Sequence, residues 1–254
     1  MAVLALVTGC AAQPLARVPL MARPPAAADP ETLGKRLTSM QRDWPPPAVT
    51  GCRRCVALTF DDGPGAETDR LLTMLREHGA RATFFVVGQM AQAPGGAARL
   101  RRIVAEGHEL GNHSWSHAEL PTLPRPLIAR ELQRTGDLVR ALTGVRMRLM
   151  RPPYGSTDDR VAAESRERGL AQILWSVDTY DWRDRVSSVV ARRASRARPG
   201  AVVLLHDIHR TTVDAVPRIL DTLTRKGFRM VTVSELYRTP PRPGRRYRQA
   251  PPER

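Results

Sequence analysis

Apolar residues recur along the chain with two periods. From Cys55 onward, short runs rich in β-branched and aromatic residues alternate with longer stretches whose apolar positions fall three and four residues apart. The short runs predict strands at Val56–Phe60, Ala82–Val87, Glu109–Asn112, Met147–Met150, Ala171–Val177, Val202–Leu205 and Arg229–Thr232. The longer stretches predict helices at Thr68–Glu77, Ala97–Glu106, Leu127–Leu142, Asp158–Arg168, Val186–Ala197 and Val213–Arg225. Gly79, Gly107, Gly144, Gly169 and Gly227 stand where helix C-caps would fall. Strands alternating with helices predict an α/β fold on a parallel sheet, open or closed into a barrel.

The ends are patterned differently. Residues 1–50 are Pro/Ala-rich and weakly periodic, and read as a signal plus linker. Residues 51–238 carry the alternating pattern of one catalytic domain. Residues 239–254 hold five Pro and five Arg against one Glu and are expected to be a disordered basic tail. Near the start, an apolar run leads into Val7-Thr8-Gly9-Cys10, which resembles the lipobox of bacterial lipoproteins. A lipid on Cys10 would be the chain's one link to a membrane, since no stretch approaches the ~20 apolar residues of a span. No Lys or Arg precedes the apolar run, and the run is short for a signal; a start codon placed too late would explain both. With Cys10 set aside, Cys52 and Cys55 remain as a short-loop disulfide or as two inert thiols.

Charge narrows the partners less than its size suggests. The net charge is +15, but all except two of the 40 basic residues (Lys35 and Lys226) are arginines spread over the whole length. That spread looks compositional, and no nucleic-acid-binding motif accompanies it, so nucleic acid is set aside as a partner. An anionic wall or membrane surface stays open.

Each polar cluster follows a predicted strand. Asp61-Asp62-Gly63-Pro64 follows the first, His113-Ser114-Trp115-Ser116-His117 the third, and Arg151-Pro152-Pro153-Tyr154-Gly155 the fourth. Asp178-Thr179-Tyr180-Asp181-Trp182 follows the fifth, and His206-Asp207-Ile208-His209 the sixth. In a parallel α/β fold the C-terminal strand ends share one rim, so these clusters converge there. Asp61 and Asp62, in extended chain, would point opposite ways, one free to ligate a metal and the other to act as a base. His113 and His117, four apart, would share one face of a helical turn. With Asp62 they make a two-His, one-carboxylate site with open positions, suited to a hydrolytic metal or to non-haem iron. His206, at the mouth of an apolar strand, is a general-acid candidate or a histidine capped by Asp207. Arg151, stiffened by two prolines, suits orientation of a carboxylate. His78 and His108 read as ordinary structural histidines.

Taken in order over residues 53–237, these motifs resemble the polysaccharide deacetylases of carbohydrate esterase family four, the NodB homology domain. The resemblance implies a distorted (β/α)₇ barrel in which Asp62, His113 and His117 hold zinc or cobalt. It implies that Asp61 is the base for a metal-bound water, oriented by Arg151, and that His206, tuned by Asp181, protonates the departing amine. The backbone N–H of Tyr154 would stabilise the oxyanion, and Trp182 and Leu204 would wall the pocket for the acetyl methyl. The implied substrate is N-acetylglucosamine in a cell-envelope polysaccharide. The stretch from His206 to Pro217 resembles peptidoglycan deacetylases more than xylan esterases, with chitin oligosaccharides or acetylxylan as alternatives. The enzyme is expected to be a monomer acting outside the cytoplasm, lipid-anchored or secreted. A reading from a different class is a glycan-binding wall protein with a vestigial site.

Overall fold

The computed structural model describes residues 52–237 and 239–251. Residues 1–51, with the lipobox-like Cys10 and the linker, lie outside the described residues. The strands are β1 Cys55–Asp61, β2 Ala82–Val86, β3 Glu109–Asn112, β4 Leu149–Met150, β5 Ala171–Ile173, β6 Val177–Asp178, β7 Val202–His206, β8 Arg229–Met230 and β9 Arg246–Tyr247. The helices are α1 Thr68–Glu77, α2 Gly88–Gln92, α3 Gly96–Ala105, α4 Arg125–Thr143, α5 Asp159–Glu167, α6 Asp181–Asp184, α7 Ser187–Ala194, α8 Arg210–Arg225 and α9 Val233–Leu236. Named strand pairs are parallel and run in the order β6-β7-β1-β2-β3-β4-β5-β9, with β8 against the start of β1.

Period-two alternation decides what each strand buries. Leu58, Phe60, Phe84, Val86, Leu110, Val203 and Leu205 turn outward and pack beneath the helices in the main core. Ala57, Phe85, Leu149, Ala171, Ile173 and Val202 form a separate inner cluster that fills the barrel. The inner face turns polar at Thr59 and Asp61, both buried on β1. The five C-cap glycines all have positive φ, from 59° to 81°, so the stops legible in the sequence are real left-handed caps.

Two expectations are corrected. The run Ala171–Val177 is not one strand: it breaks at residues 174–176, β5 joins β4, and β6 crosses to pair with β7. This break distorts the barrel, because one chain segment serves two separated places in the sheet, beside β4 and beside β7. The second correction concerns residues 239–254, expected to be disordered. Residues 239–251 are folded into the seam left by the break. There, β9 pairs with β5, Leu174 N–H donates to Tyr247 O at 2.7 Å, and Ala250 N–H donates to Gly200 O at 2.8 Å. The composition signalled disorder, yet Ala250 is buried and the Tyr247 ring meets Tyr237 edge-on at 5.4 Å. At the opposite end of the molecule from the polar rim, Cys52 and Cys55 form a disulfide with Cα atoms 5.6 Å apart.

Candidate metal centre and its acid–base flank

The C-terminal strand ends carry the polar clusters. Asp61 is the last residue of β1 and stands in register with His206 at the end of β7, so the two side chains occupy neighbouring strands. Asp62 leaves the strand with φ 72°, and this turn brings its carboxylate round to the same side as Asp61. The expected opposite orientation is therefore corrected. His113 Nε2 lies 3.3 Å from Asp62 Oδ1 and 3.7 Å from Asp61 Oδ2.

His113 and His117 do not share a helical turn. They flank an irregular loop in which Ser114 and His117 themselves have positive φ, 64° and 60°. Side chains take the place of helical hydrogen bonds. Asn112 Oδ1 accepts from Ser114 N–H at 2.9 Å, and Ser114 Oγ accepts from His117 N–H at 3.1 Å. Glu131 on α4 accepts from Trp115 and Ser116 N–H at 2.9 and 2.8 Å. Left-handed backbone at non-glycine residues is costly and persists where the surroundings enforce it. Here Asp62, Ser114, His117 and Tyr154 all adopt it around one centre.

Asp62, His113 and His117 present ligand atoms within 4.8 Å of one another. His117 Nε2 is 3.2 Å from Asp62 Oδ1. Bonds of about 2.1 Å at tetrahedral or octahedral angles separate ligand atoms by about 3.0–3.4 Å, the spacing found here between Asp62 and each histidine. The protonation pattern agrees. His113 Nδ1–H donates to Arg151 O at 2.7 Å, which leaves Nε2 as a bare lone pair facing the centre. Asp62 Oδ1 is buried and accepts no hydrogen bond. Electron-rich atoms converging without protons between them suit a divalent cation.

Arg151 is wholly buried and serves as the hub of the site. Its Nη1 donates to Asp61 Oδ1 at 2.7 Å and to Thr59 Oγ1 at 2.9 Å. Its Nε and Nη2 donate to Ile173 O and Leu174 O at 3.0 and 3.1 Å, carbonyls beside the β5 break. The guanidinium lies over Phe85, 4.3 Å from the ring centre. Asp61 is thereby held with one oxygen clamped and the other toward His113.

On the far side, His206 Nδ1–H donates to Asp181 Oδ1 at 2.9 Å. Asp181 Oδ2 also accepts from His206 N–H and Thr212 Oγ1, each at 2.7 Å. Burial works to lower the His206 pKa, but the Asp181 hydrogen bond and charge outweigh it and push it up to about 9. Burial raises the Asp181 carboxyl, yet its hydrogen bonds and the His206 charge bring it below the usual range.

The three residues expected to meet the acetyl group flank this centre. Tyr154 sits in a turn with φ 61°, its ring edge-on to His117 at 4.6 Å. Leu204 is on β7 two residues before His206, buried and outside both apolar clusters. Trp182 is half exposed beside Asp181. His78 contacts Asp221, and His108 packs edge-on to Phe84, both away from the centre.

Sequence reasoning did not single out Thr59, Asn112, Glu131 or Thr212, whose signal is only spatial. It also passed over Asp207 as more than a cap. That buried carboxyl takes the Thr68 hydroxyl hydrogen bond at 2.5 Å and lies directly against Gly63. A Cβ at Gly63 would come within 2.3 Å of Asp207 Oδ1, so the Asp61–Gly65 loop is packed onto the residue after His206.

By fold and site this is a distorted (β/α)₇ barrel with a candidate metal centre on its C-terminal rim. Residues 48–173 match the family model for polysaccharide deacetylase. The peptidoglycan-N-acetylmuramic acid deacetylase PdaC of Bacillus subtilis is 39% identical over 186 residues, covering 72% of this chain and 39% of that protein. Its solved structure superposes with a TM-score of 0.70 at 38% identity, covering 74% of this chain and 92% of that one. The peptidoglycan-N-acetylglucosamine deacetylase PgdA of Listeria monocytogenes is 40% identical over 195 residues, covering 76% of this chain and 40% of the relative. The chain thus matches well under half the length of these two proteins. A chitooligosaccharide deacetylase of Sinorhizobium fredii is 36% identical over 189 residues, covering 68% of this chain and 87% of the relative. The chain belongs to the polysaccharide deacetylase family.

Proposed function

We propose that this protein is a metal-dependent deacetylase that removes N-acetyl groups from N-acetylglucosamine units of a cell-envelope polysaccharide, peptidoglycan before others. The observation that carries the reading is the flanking of one three-ligand centre by a clamped carboxylate, Asp61, and an Asp181-paired imidazole, His206, on adjacent strands. A divalent cation, zinc or cobalt, held by Asp62, His113 and His117 supplies Lewis acidity toward the acetyl carbonyl and toward water.

The chain's own groups account for the rest. Asp61, its charge kept by Arg151, takes the proton of the attacking water. Arg151 fixes which Asp61 oxygen faces the centre. The Tyr154 backbone N–H donates to the oxyanion that forms on the acetyl group. His206, protonated at neutral pH through Asp181, gives its proton to the departing amine. Leu204 and Trp182 enclose the acetyl methyl. Acetate and a free amino sugar leave.

The names of the relatives support this substrate class and, with it, a site of action outside the cytoplasm. A lipid on Cys10 would hold the enzyme at the membrane, and it acts as a monomer. The test is acetate release by metal-supplemented protein from peptidoglycan, chitin oligomers and acetylxylan. The reading expects fastest release from peptidoglycan, abolished by chelator. Glycan binding that chelator leaves intact, with no acetate from any substrate, would make the chain a wall-binding protein instead.

A further inference from the structure

The groove between α7 and α8 is lined in a way that catalysis does not use. The two helices pack side by side. Along α7 and the turn that follows it, Ser188, Arg192 and Arg196 recur four residues apart; along α8 and its cap, Arg218, Thr222 and Lys226 do the same. Four-residue spacing puts each set on one helix face. Both sets line one cavity of about 400 Å³, and no carboxylate lines it.

The acids nearby are engaged elsewhere. On α8, Asp214 and Asp221 turn toward α1, where they meet Arg70 and His78. On α7, Arg193 turns the other way, to Asp184 at 2.5 Å and the Tyr180 ring. Among the described residues no carboxylate pairs with Arg192, Arg196 or Arg218. Complementing a helix C-terminus explains one basic residue in the last turn of α7, and Lys226 does donate to Ser195 O at 2.6 Å. It does not explain three further unpaired guanidinium groups facing one another across a groove, where they repel.

We propose that this groove binds a linear polyol-phosphate polymer, a polyanion of repeating phosphate esters without bases. Guanidinium groups fork onto phosphate oxygens, and the Ser188 and Thr222 hydroxyls add donors between them. Each stripe covers eight residue steps, about 12 Å at helical rise, longer than one phosphate needs. The concave lining favours a strand laid along it over a flat headgroup layer, which would touch only the ridges. The proposal is independent of the deacetylation reading.

Calorimetric titration with poly(glycerol phosphate) tests it, beside arms with inorganic phosphate and with phosphatidylglycerol vesicles. The wild-type protein is expected to bind the polymer at low salt and release it as salt shortens the screening length. Arg192→Gln, Arg196→Gln and Arg218→Gln combined should weaken binding about tenfold or more. The equally charged control, Arg130→Gln with Arg185→Gln and Arg210→Gln, should bind as wild type does. Thr222→Glu, which places one carboxylate mid-groove, should weaken binding on its own if the triple variant folds poorly. Equal losses in both triple variants would overturn the proposal, as would unchanged binding in Thr222→Glu. Inorganic phosphate or vesicles binding as tightly as the polymer would overturn it as well.

Discussion

Replacing Arg151 with methionine removes the one side chain that joins β1, the β5 break and the candidate base. Methionine keeps the stem and the contact with Phe85 but supplies no donor. Asp61, only 2% exposed, would be left without its cation, and breaking a buried pair from one side costs about 3–5 kcal/mol. Ile173 O and Leu174 O would also lose the donors they now have, at about 1–3 kcal/mol for each one that water fails to reach. With one of the two carbonyls reached by water and the other left dry, these place the loss at about 4–8 kcal/mol, against a total stability of about 5–15 kcal/mol. For a domain of this size that lowers the melting temperature by about 10–25 °C. Arg151→Lys keeps a cation near Asp61 but cannot fork onto both carbonyls, so it should lose about half as much. The assay is denaturant unfolding in chelator, so that metal binding does not stabilise one variant over another. Asp61→Asn added to Arg151→Met should recover about 1–3 kcal/mol, because the stranded charge is gone. A single-variant loss below about 1 kcal/mol, or no recovery in the double variant, would refute the assignment of Arg151 as the site's hub.

Three further outcomes follow from other parts of the structure. The raised His206 pKa keeps the ring protonated at neutral pH, so turnover should fall as pH rises through about 9. Asp181→Asn removes the main group favouring the charged ring and should move that limb down toward the ordinary imidazole value, about 6.5; a pH profile with the limb unmoved argues against the pairing. Gly63→Ala forces the Asp61–Gly65 loop off Asp207 and should weaken metal binding about 10–100-fold in a competition titration, whereas a loop able to absorb the Cβ would leave affinity unchanged. Ending the chain at Thr239 removes β9 and reopens the seam beside β5, with a loss of about 2–4 kcal/mol in thermal unfolding; an unshifted midpoint would show the segment to be dispensable.

The parts of this molecule legible in its sequence are those set by local rules. Thr68–Glu77 and Glu109–Asn112 have the expected bounds: apolar period and the following Gly79 set the helix, and the turn at Gly107 precedes the strand. The clustering of Asp61, His113, Arg151, Asp181 and His206 needed only the rule that parallel strands share a C-terminal rim. What was not legible depends on partners distant in the chain. The loop from His113 to His117 has helical spacing, yet Asn112 and Glu131 satisfy its amides instead. Nothing local marks the break at residues 174–176, where Arg151 and Tyr247 take up the freed backbone groups. The Pro/Arg-rich end reads as disordered by composition, and only the seam it fills explains its order.

In the proposed mechanism Asp62, His113 and His117 hold a catalytic divalent ion while Asp61 moves the proton. The most direct measurement pairs metal content with acetate release in Asp61→Asn. The variant is expected to bind one divalent ion per chain as the wild-type protein does, with acetate release from the same glycan lower by about 10²–10⁴-fold. Metal retained with acetate release at the wild-type rate would contradict it.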